Sequence, residues 1–102
     1  MKMTGRMGQD VMVTEVGNDF VIVVPLPKWA KKDHVLISSN KTSIKVSILQ
    51  EDLETVYTSY LVSKPHYSIN TADYKLRVAN NSITYGFAGL KFGMATISIP
   101  KV

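Results

Sequence analysis

The chain contains no cysteine. This excludes disulfides, thiolate metal sites and a cysteine nucleophile. No apolar run approaches the ~20 residues a membrane-spanning helix needs. The first ten residues lack the apolar core of a signal peptide. The expectation is therefore a cytoplasmic protein with no membrane association, in which the Asn-x-Ser/Thr triplets at Asn40 and Asn80 have no consequence. Histidine is scarce: His34 and His66 lie far apart with no carboxylate at ligand spacing, so no metal site is expected. No serine sits in a Gly-x-Ser-x-Gly elbow. The glycines Gly86, Gly89 and Gly93 form no phosphate-cradling run and read as twist and turn residues. Glu51, Asp52 and Glu54 share a polar segment with nothing apolar to desolvate one of them, so they read as solvated surface. With no nucleophile, acid/base pair or metal set to assemble, the sequence points away from an enzyme and implies no cofactor.

Charge of one sign is in excess, at +4, but the basic residues are scattered. Only Lys28, Lys31 and Lys32 cluster, in a turn. Nucleic-acid binding needs a contiguous basic face, so the charge reads as solubilising.

A helical pattern is also missing. What is present is a series of short alternating segments joined by turn residues. Val11–Val16 alternates and runs into Gly17-Asn18-Asp19, a hairpin composition. Phe20–Leu26 is apolar on both faces, with Pro25 and Pro27 expected to end its ladder. Trp29–Asp33 reads as a loop or single turn, His34–Ser38 as a short strand and Ser39–Lys41 as a turn. Ser43–Ile48 alternates with Ile44, Val46 and Ile48 inward. Thr55–Val62 is β-branched and aromatic. Ser63–Ala72 reads as a loop, and Asp73–Val78 places Tyr74, Leu76 and Val78 on one face. Ile83–Phe87 is the expected penultimate strand and Met94–Ile99 the last, with Gly93 as the turn residue before it and Pro100 as its stop. The tyrosines Tyr57, Tyr60, Tyr67, Tyr74 and Tyr85 could stack bases; on alternating strands they more commonly fill a sandwich or an interface. The expectation is an all-β, antiparallel, immunoglobulin-like sandwich of about 7–9 strands. It forms a single domain over residues 11–102 behind a flexible segment, residues 1–10.

Two segments carry a family resemblance. Ala88, Gly93, Met94, Ala95, Ile97, Ile99, Pro100 and Lys101 reproduce an Ala, four residues, Gly, two apolar residues and an alternating strand closed by Pro-Lys. Upstream, Leu26, Pro27, Trp29, Lys31 and Asp33 match a Leu-Pro-Gly-Phe turn followed by charged residues, with Lys28 where Gly is usual. Together they resemble the alpha-crystallin domain of small heat-shock proteins. The resemblance implies an ATP-independent, stress-response chaperone. Its partners would be unfolded or partly folded proteins, held in an apolar groove whose counterparts here are Val35, Ile37, Ile83, Tyr85 and Phe87. The same five residues would equally suit a plain core.

In microbial members of that family a strand is exchanged between two subunits. The matching connector, Leu49–Ala72, would place Val56, Tyr57, Tyr60 and Leu61 in the exchanged strand of a homodimer; pairing within its own chain is the competing arrangement. The usual long N-terminal arm has only about ten residues here. The usual C-terminal Ile-x-Ile/Val element has a counterpart only in Ile97-Ser98-Ile99, which the pattern assigns to the core strand. Three readings stay open. The first is a dimeric holdase. The second is a sandwich of the same shape, like the CS domains of co-chaperones, that binds a folded partner. The third is a small basic protein that binds nucleic acid.

Overall fold

The computed structural model describes residues 11–79 and 93–102. Seven strands lie among them: β1 (Met12–Val16), β2 (Asp19–Leu26), β3 (Val35–Ser39), β4 (Ser43–Leu49), β5 (Val56–Ser63), β6 (Lys75–Ala79) and β7 (Gly93–Pro100). Short 3-10 turns, Lys32–His34 and Thr71–Asp73, complete the regular structure. The chain is all-β. One antiparallel sheet runs β1-β2-β7-β6 and the other β3-β4-β5, and the two form a β-sandwich around one apolar core. No helix among the described residues is long and apolar enough to cross a membrane.

Alternation along the strands builds that core. On β2, Phe20, Ile22, Val24 and Leu26 turn inward, in register with Ile99, Ile97, Ala95 and Gly93 of β7. From the other sheet Ile44, Val46 and Ile48 of β4 face them, all fully buried. Val35 and Ile37 of β3 and Tyr60 and Val62 of β5 flank these three. Burying each such aliphatic side chain contributes about 1.5–3 kcal/mol. Leu76 and Val78 of β6 pack against the same cluster.

The turns are held by their own residues. Gly17 takes φ +59° in the β1–β2 hairpin. Asn40 Oδ1 accepts the backbone N–H groups of Thr42 (2.9 Å) and Ser43 (2.8 Å), closing β3 onto β4. In the β4–β5 turn Asp52 Oδ1 accepts from the N–H groups of Glu54 and Thr55, each at 2.9 Å, and Oδ2 from the Thr55 hydroxyl at 2.6 Å.

Four local expectations change. Gly93 opens β7 as a buried strand residue opposite Leu26, and the described glycine at positive φ is Gly17. Pro25 stays inside β2, paired with Met94, where β1 no longer runs alongside: the last β1 rung is Met12–Val23. His34 ends a 3-10 turn because its Nδ1 accepts the Lys31 N–H at 2.9 Å. Asp73 likewise belongs to a 3-10 turn, capped by Asn70 Oδ1, so β6 starts at Lys75 and Tyr74 is exposed. The expected flexible segment, residues 1–10, and the expected strand Ile83–Phe87 lie outside the described residues.

Candidate partner-binding surface

The β4–β5 turn decides how β5 is presented. Because Asp52 fixes that turn, β5 folds back on β4 of the same chain, in register from Ser43–Ser63 to Ile48–Thr58. The register shifts between Ile48 and Leu49, where Leu49 meets Val56 and Tyr57 becomes the extra residue of a bulge. Inward and outward positions then separate. Tyr60 and Val62 are buried in the core. Leu61 points outward beside Lys45 and is 71% exposed. Leu36 of β3 is on the same outer face, opposite Ser47, and is 54% exposed. Val56 and Tyr57 are exposed at the start of β5. Between them the Ser47 and Ser59 hydroxyls lie 3.1 Å apart across the strands. The outer face of the smaller sheet is thus mostly Ser and Lys, with Leu36 and Leu61 as exposed apolar side chains on its two outer strands.

Tyr57, the extra residue of the bulge, meets the loop after β2. The Trp29 ring meets Tyr57 edge to face, with centroids 5.4 Å apart and planes at 84°. It meets the His34 ring at 5.5 Å and 73°. The Pro27 carbonyl accepts the Ala30 N–H at 3.1 Å, tightening the loop that carries Trp29. Trp29, Tyr57, Gln50, Glu51 and Asp52 line an open cavity of about 480 Å³. The three hydrogen bonds to Asp52, led by the Thr55 hydroxyl, depress its pKa to about 2, so it is a fixed anion at neutral pH.

The other sequence candidates fall in different places. Of the groove set, Val35 is buried and Ile37 half-buried, both on the inner face of β3; Ile83, Tyr85 and Phe87 are outside the described residues. Of the exchange set, Tyr60 belongs to the core while Val56, Tyr57 and Leu61 are at the surface. Leu26, Ile97 and Ile99 are core, Pro27 and Trp29 form the loop after β2, Pro100 ends β7, and Ala88 is outside the described residues. The pocket joining Trp29 to Glu51 and Tyr57 is not readable from the sequence, since it brings together residues of the β4–β5 turn, the start of β5 and the loop after β2. No family model matches this chain, and neither do any curated protein or solved structure.

Proposed function

We propose that this chain is a non-catalytic, protein-binding domain of chaperone type, which docks a folded partner on the outer face of the β3-β4-β5 sheet and works in the cytoplasm. The observation that carries the reading is that Leu36, Val56, Tyr57 and Leu61 stand exposed on or beside the β4–β5 hairpin. Large apolar side chains exposed to water on one sheet favour a protein contact. The closest functional analogy is the CS type of co-chaperone sandwich, and it rests on sandwich shape alone.

The same exposed residues favour a second reading, an ATP-independent holdase acting as a homodimer. Exchange would replace the intrachain β4–β5 rungs with identical rungs between subunits, at little cost in contacts. Solution mass by light scattering, together with suppression of aggregation of a heated client enzyme without ATP, separates the two. A monomer that leaves client aggregation unchanged fits docking of a folded partner. A dimer that suppresses aggregation fits the holdase. A steep loss of RNA or DNA retention with salt would instead favour nucleic-acid binding.

A further inference from the structure

The cavity beside the β4–β5 turn combines two kinds of wall. One is aromatic: Trp29 and Tyr57, set nearly perpendicular at 84°. The other carries Glu51, Asp52 and Gln50. Among the described residues neither Glu51 nor Asp52 has an ion-pair partner. Their roles differ. Asp52 has its oxygens engaged by Glu54 and Thr55 and shapes the turn, whereas Glu51 lines the cavity with no hydrogen bond of this kind. The lysines of the adjoining loop, Lys28, Lys31 and Lys32, do not line it.

We infer that this cavity is a cation subsite that takes an arginine side chain from a partner polypeptide, with the guanidinium stacked on the Trp29–Tyr57 pair and paired to Glu51. A planar, weakly hydrated guanidinium gains from aromatic faces and offers a donor fork to a carboxylate, a combination an ammonium matches less well. Gln50 adds a side-chain carbonyl as a further acceptor. This rests on the proposed protein-binding function and adds the chemistry of the partner: an arginine-bearing segment reaching the start of β5.

Trp29 is the only tryptophan in the chain, so its fluorescence reports occupancy directly. The probe is an Arg-Arg-Arg tripeptide titrated into the full chain, with Lys-Lys-Lys and a neutral oligosaccharide as competitors for the same walls. The expected result is a saturable change in Trp29 emission, stronger for arginine than lysine. Glu51→Gln should weaken it about fivefold and Tyr57→Ala about threefold, as for partly exposed charge and cation–π contacts. Glu54→Gln removes the same charge from the same turn without touching the cavity, and should shift affinity less than twofold. No saturable response, an equal loss in Glu51→Gln and Glu54→Gln, or a preference for the oligosaccharide would overturn the proposal. Loss of tripeptide binding with partner docking intact would reject the subsite alone. Tripeptide binding by a chain that docks no protein would reject the broader function alone.

Discussion

Lys101 Nζ lies 3.2 Å from Glu15 Oε1 and at the same time 4.7 Å above the Tyr67 ring. This one cation ties the chain end to β1 and to the loop after β5. The backbone follows the same path: Lys101 N–H donates to Asn18 C=O at 2.9 Å and Val102 N–H to Ser68 C=O at 3.0 Å. Tyr67 in turn sets its ring edge against Phe20 of the core, with centroids 6.4 Å apart.

The clasp has a pH signature on each side of neutrality. The hydrogen bond from Tyr67, then that from Lys101, holds the Glu15 carboxyl below its ordinary value. Its stabilisation is complete above the ordinary carboxylate range and is lost as pH falls through the lowered folded value. Burial, then the bond to Glu15, pushes the Tyr67 hydroxyl up to about 12. The unfolded chain releases that proton at about 10, so this stabilisation is complete below about pH 10 and disappears as pH rises through about 12. Tm measured against pH should fall on both sides. Glu15→Gln should flatten the acid limb and Tyr67→Phe the alkaline limb. Absorbance titration should show a late-titrating tyrosine component that is lost in Tyr67→Phe.

Ile97 lies at the centre of its sheet, fully buried and registered between Ile22 and Leu76. Ile97→Ala removes atoms where two strands and the facing sheet prevent collapse, so it should cost about 2–5 kcal/mol in urea unfolding. Leu61→Ala at the solvent face should stay within about 0.5 kcal/mol.

That contrast also explains what a reader of the sequence could see. The alternation of Ser43–Ile48 and Met94–Ile99 marks which side chains are core, because a period of two leaves no other register with one apolar face, whereas Phe20–Leu26, apolar on both faces, reads only as a buried strand. Gly17-Asn18 marks its hairpin by composition. The strand stop at Pro100 follows from the missing N–H. The 3-10 turns are less visible, since Asn70 and His34 act through single side-chain bonds to nearby backbone. The bulge at Leu49–Val56, beside which Tyr57 meets Trp29, leaves no mark in composition. A strand that is apolar on both faces, Val56–Ser63, shows in the sequence. Which chain supplies its partner edge does not, because the same residues satisfy either arrangement.

Gly17 isolates a purely conformational cost. A Cβ there would meet nothing within 4 Å, but the backbone sits at φ +59°. Gly17→Val should therefore destabilise by about 1–2 kcal/mol with no change in packing, and Gly17→Asn by clearly less, because Asn tolerates this region. Thermal unfolding of the two variants checks the order; equal losses would mean that the hairpin relaxes to another turn.

Leu61→Ser separates surface function from fold. Leu61 is exposed beside Lys45 on the outer face of the β3-β4-β5 sheet, while its neighbours Tyr60 and Val62 hold β5 to the core. The substitution should leave Tm unchanged within the scatter of surface variants. If this face docks a partner, losing an exposed apolar anchor should weaken the complex by about tenfold, equivalent to about 1.4 kcal/mol. Isothermal titration with the docked partner reads that change directly. A holdase that spreads a client over many weak apolar contacts would respond differently: its half-suppressing ratio would move by about twofold or less, because no single contact dominates a promiscuous surface. Full affinity in Leu61→Ser, together with full affinity in Leu36→Ser on the same face, would move the contact to another surface of the sandwich.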